Sequence, residues 1–129
     1  MLVRYLTGDP PEMADISAQV IDGESDLAVS DVALVETAYV LTSVYGIPRE
    51  AVVDHLVALL RKENIGTLGM PKAVVIEALR LCRPSHRVSF GDALIWAVAR
   101  ANRASVFTLD DRFPHEGIDV LRSPRSPPP

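Results

Sequence analysis

The sequence predicts an α/β sandwich built on a short, mainly parallel sheet. Three observations carry that expectation. Short, largely apolar segments of three to five residues, at 27–29, 105–109 and 118–121, are too short for helices. Longer segments with helical periodicity separate them, each bracketed by start and stop residues. Strands joined through helices pair in parallel, and ligands in such sheets bind beyond the carboxyl ends of the strands.

The elements follow in order. Residues 2–7 read as one short helical turn stopped by Gly8. Asp9 is placed to cap a second helix, with Pro10 at the first helical position and Glu12 three residues after the cap, ending at Gly23. Residues 27–29 form a strand, and Ser30 caps a helix running to about Tyr45 and closed by Gly46. Pro48 starts the next helix, through about Glu63, where Val52, Val53, Leu56, Val57, Leu59 and Leu60 supply a broad apolar face. Thr67 and Leu68 suit a minimal strand, Pro71 opens a helix to about Leu81, and Ser89 caps the helix carrying Asp92. Residues 105–109 are a strand, and 118–121 an edge strand.

The chain has 129 residues, 48% of them apolar, which suits one domain over 1–122. The end, 123–129, is rich in proline and reads as a disordered, polyproline-like tail. No apolar run approaches the roughly 18 residues of a membrane span, and the N-terminus lacks signal-peptide character. One cysteine, Cys82, rules out an internal disulfide and fits a reducing cytoplasm. It reads as a core filler rather than a nucleophile. The net charge of −4 gives no bulk support for nucleic-acid binding, although a local basic cluster can still hold phosphates.

Three acids stand where acids are expensive. Glu36 interrupts an apolar helical run, and its neighbours three and four positions away, Val32, Ala33, Tyr39 and Val40, place it on a face expected to be buried. Asp92 precedes a stretch, 93–99, without a polar residue, and Asp110 ends an apolar strand. Each has an ordinary alternative. Glu36 can sit at the edge of a buried face with its head in water. Asp92 fits a capping box and the positive end of a helix. Asp110 can open a turn. Taken together, converging carboxylates point to a hard divalent cation and to metal-assisted chemistry on phosphate esters.

Other patterns say less. Asp111 reads as a turn residue, His55, His86 and His115 have no ligand spacing, and Trp96 reads as core. No glycine-rich phosphate loop, zinc spacing or nucleophile elbow occurs. A phosphotransfer domain would need an early acidic strand motif and a lysine after a later strand, whereas Lys62 and Lys72 fall in helical contexts. Arg80, Arg83, His86 and Arg87 form a positive cluster before the Asp92 helix, to which Arg100, Arg103 and Arg112 can add. It reads either as solvated surface or as contacts to a nucleic-acid backbone.

The segments 2–9, 35–41, 90–95 and 108–110 resemble consecutive motifs of PIN-domain proteins, and among these the VapC toxins of type II toxin–antitoxin systems. The resemblance extends up to Leu121 and includes the eighteen positions from Asp92 to Asp110. It implies a three-layer α/β/α fold, a homodimer, inhibition by a cognate antitoxin, and Mg²⁺- or Mn²⁺-dependent endoribonuclease activity on RNA. It places Glu36, Asp92 and Asp110 on the family's metal-binding and catalytic acids. The sequence departs from the pattern in lacking the family's first strand with its Asp-x-Asn motif. Neighbouring strands are therefore expected to lose ladder partners, and Met1 is expected to be an internal residue of a longer natural protein. Activity is expected to be weak or lost, the alternative being a non-catalytic module that dimerises or binds an antitoxin.

Overall fold

The computed structural model describes residues 1–122, so the proline-rich tail expected at 123–129 lies outside the described residues. Six helices and four strands alternate through them: α1 (Leu2–Thr7), α2 (Pro11–Ile21), β1 (Leu27–Ser30), α3 (Asp31–Ser43), α4 (Arg49–Leu60), β2 (Ile65–Leu68), α5 (Lys72–Cys82), α6 (Phe90–Ala101), β3 (Val106–Phe107) and β4 (Val120–Leu121). Helices with short parallel strands between them are the mixed α/β architecture that the sequence predicts. None of these helices is long and apolar enough to cross a membrane.

Local chemistry sets the boundaries. Gly8 closes α1 in the left-handed conformation, with its N–H donating to the carbonyl of Arg4. Ser30 starts α3, its hydroxyl accepting from the N–H of Ala33 at 3.1 Å. The start of α2 differs from expectation. Pro10 is extended and Pro11 takes the first helical position, so the helix begins one residue later and Asp9 makes no side-chain cap. Both α3 and α4 stop a turn or less before the predicted ends, at Ser43 and Leu60.

The strands form two separate parallel pairs rather than one sheet. β1 pairs with β2 from Leu27 against Ile65 to Ser30 against Leu68, and β3 pairs with β4 through Val106 with Val120 and Phe107 with Leu121. The N–H groups of Val106 and Thr108 both donate toward β4, to Asp119 and Leu121. Phe107, between them, turns its N–H the other way, because successive backbone groups in a strand face opposite edges. β3 is two residues long where five were expected, since only this stretch has a ladder partner.

One core joins both pairs and the helices. Ile21, Leu41, Val52, Leu56, Leu60, Ile65, Val75 and Trp96 are buried in a single cluster, with Val106 and Val120 packed on its margin. Asn64 ties the α2–β1 connection to the start of β2 through its amide, which donates to the carbonyls of Ile21 (2.9 Å), Gly23 (3.2 Å) and Ser25 (3.3 Å).

A surface network links α1, the end of α2 and the α4–β2 loop. The Tyr5 hydroxyl donates to Asp22 at 2.7 Å, and the Lys62 ammonium sits 3.0 Å from the same carboxylate. The Tyr5 hydrogen bond first, then that from Lys62, holds the Asp22 carboxyl below its usual range. A depressed carboxyl contributes stability above its unfolded value, and that contribution is lost as pH falls through the folded value. Asp22→Asn is therefore expected to lose less stability than the parent between pH 7 and about pH 3, as read from urea midpoints at both pH values.

Candidate functional site

Asp92 occupies the first turn of α6. The Ser89 hydroxyl accepts its N–H at 3.0 Å, and Ser89 is extended, as a cap requires. The side chain is half-buried, next to the fully buried Ala93. A second device fixes this helix start. Arg49, only 8% exposed, reaches from the first turn of α4 and donates to the carbonyls of Cys82 (3.1 Å) and Val88 (2.8 Å). Its Nε donates to Nδ1 of His86 at 3.4 Å, and its guanidinium lies 4.5 Å from the centre of the Phe90 ring. Three segments thus converge on one guanidinium: the end of α5, the loop after it and the start of α6.

Sequence reasoning did not single out Arg49. A signal was present, because a cation in a helix's first turn opposes the macrodipole. Arg49 serves another helix instead. Cys82 is the last residue of α5, where carbonyls lack helical partners, and a positive donor there is favourable. The Cys82 thiol is buried, and burial pushes its pKa up, in keeping with a core filler.

Glu36 lies elsewhere than predicted. The buried stripe of α3 is Leu34, Thr37, Ala38 and Leu41, so Glu36 is exposed on another face, with Val32 and Tyr39 also exposed. α3 is apolar nearly all round, so periodicity alone does not choose the face that packs. Glu36 lines a shallow cleft with Met1, Leu2, Val3, Ala33, Thr37 and Val40.

Asp110 takes the turn geometry that was its ordinary alternative. Its carboxylate accepts the N–H of Arg112 at 2.9 Å, its own N–H donates to the Thr108 hydroxyl at 3.1 Å, and Arg122 donates to its carbonyl. Asp111 is fully exposed, 3.7 Å from Arg122.

The expected gathering of Glu36, Asp92 and Asp110 around one cation is not met. Among the described residues no three His, Cys, Asp or Glu side chains stand close enough to hold a metal ion. Carboxylates are the right donors for Mg²⁺ or Mn²⁺ in kind, but here they form no shared ligand set. The predicted basic cluster is also divided. Arg80 and Arg83 share a cleft with Arg61, Arg87 lines another with Arg112 and His115, and Arg100 and Arg103 line a third.

The PIN domain family model matches residues 1–117. The chain belongs to the PIN domain family. No curated protein and no solved structure matched it. The match spans every element up to β3 and includes all three candidate acids. Membership of the PIN family points to a nuclease-type function and to RNA as the class of ligand.

Proposed function

We propose that this PIN domain is a VapC-like ribonuclease by descent, with weak or absent hydrolysis of RNA phosphodiesters. Glu36, Asp92 and Asp110 are its catalytic acids in this reading, and Mg²⁺ or Mn²⁺ its cofactor. The observation that carries it is the family match across 1–117. The lack of a shared three-acid ligand set among the described residues supports low activity, because carboxylates that do not share a cation repel a phosphodiester. What the chain itself supplies is the fixing of Asp92, through the Ser89 cap and the Arg49 staple.

A single-stranded RNA cleavage assay in Mn²⁺ tests this reading. Slow cleavage that falls by about a hundredfold in Asp92→Asn is the expected result. Equal rates in the parent and the variant would remove Asp92 from the chemistry.

One observation favours the second reading, a non-catalytic module that dimerises or binds an antitoxin. Val32 and Tyr39 on the helix of Glu36, Ile95 on the helix of Asp92, and Phe107 and Leu109 just before Asp110 are each more than half exposed. Large apolar side chains held in water on functional elements suit a surface that a protein partner covers. Binding of a partner encoded nearby, without cleavage, would favour this reading. A cytoplasmic location belongs to both readings.

A further inference from the structure

We propose that the cleft between α4 and α5 is a phosphate-binding groove for a single RNA strand, with Arg61 and Arg80 as its contacts. The two helices pack together. Their facing surfaces leave a cavity of about 390 Å³ lined by Val53, Asp54, Val57, Ala58, Arg61, Arg80 and Arg83. Three guanidiniums face one carboxylate, and that carboxylate is already taken. Arg83 grips Asp54 through two hydrogen bonds of 2.9 Å, which lower the Asp54 pKa. Glu50 also lies within electrostatic reach of Arg83. Neither Arg61 nor Arg80 has an ion pair among the described residues.

The lining indicates which polyanion fits. The floor valines are closed off, Val53 at 1% and Val57 at 8% exposure, so an apolar side chain from a peptide gains little area there. No aromatic ring lines the cleft, so nothing offers a base a stacking platform. What remains is charge, which suits a backbone carrying one phosphate per nucleotide and gives binding with little sequence preference. The cleft contains none of the three candidate acids, so it would hold the strand away from the cleavage point. The proposal deepens the RNA reading and rests on it.

The test is fluorescence anisotropy of an end-labelled oligouridylate of about twelve nucleotides, titrated with the full chain across a salt series. The double variant Arg61→Gln/Arg80→Gln is expected to bind at least about tenfold more weakly at low salt. Its salt slope should fall by about 1.4, since each phosphate contact on a single strand accounts for about 0.7. Asp54→Asn, which removes the cleft's own carboxylate, is expected to bind about threefold more tightly. Both sites are exposed, and unchanged thermal unfolding verifies that the variants fold.

An unaltered affinity and slope in the double variant would overturn the proposal, as would a parent chain that fails to bind the probe at low salt. Competition by oligoglutamate as effective as by RNA would overturn it in favour of an acidic protein partner. Asp92→Asn keeps this failure distinct from failure of the nuclease reading: it should lose cleavage and keep binding.

Discussion

Replacing Arg49 by alanine lowers the free energy of unfolding by about 3 kcal/mol. The guanidinium is buried and has no carboxylate partner among the described residues. Its charge is offset by the carbonyls of Cys82 and Val88 and by the face of Phe90. Removing it leaves both carbonyls without that donor and opens space beside the Phe90 ring. Arg49→Met separates the two effects. Methionine restores much of the aliphatic packing but offers no donor, so about 2 kcal/mol of the loss should persist. Urea denaturation of the three proteins measures this. Full recovery by methionine would mean that Arg49 acts through its stem alone. Any RNA cleavage should fall along with stability, because the same residue fixes the start of the helix bearing Asp92.

Trp96→Ala is expected to cost about 4 kcal/mol, the largest effect of any substitution considered. Trp96 is 3% exposed and lies in the middle of α6. Its indole N–H donates to the carbonyl of Glu116 at 2.8 Å, and the Arg100 guanidinium stands 5.5 Å from its ring. The side chain therefore holds the segment after Asp110 against the helix that carries Asp92. Its loss removes core volume and a tertiary hydrogen bond together. Trp96→Phe fills most of the volume without the donor and should recover most of the stability. Equilibrium unfolding checks both variants. Protease sensitivity that rises specifically around residues 110–118 in Trp96→Ala would locate the loosening.

The sequence made some features readable and hid others for physical reasons. Ser30 and Ser89 announced α3 and α6 correctly, because a serine cap acts on the backbone within three residues. The glycines at 8 and 46 marked turns for the same local reason, each in the left-handed region. Trp96 was legible as core from an uninterrupted apolar run. Glu36 was misplaced because an all-round apolar helix does not encode which side meets its neighbours. Asp110 offered two readings, and the Thr108 hydroxyl and the Arg112 N–H satisfy the turn. Arg49 could not be matched to its acceptors at all, since they lie more than thirty positions away in sequence. The arginine clusters divided because sequence neighbours at 80, 83 and 87 straddle the end of α5, where the chain changes direction.

The separation of the strands into two couples has a consequence for handling the protein. A strand paired on one side only keeps a second edge of amide and carbonyl groups, the kind of edge to which an extended peptide from a neighbouring molecule can add. Phe107 on β3 and Leu109 just after it are exposed and would add apolar contact area to such docking. Self-association that grows with protein concentration is the expected consequence, and light scattering across a dilution series measures it.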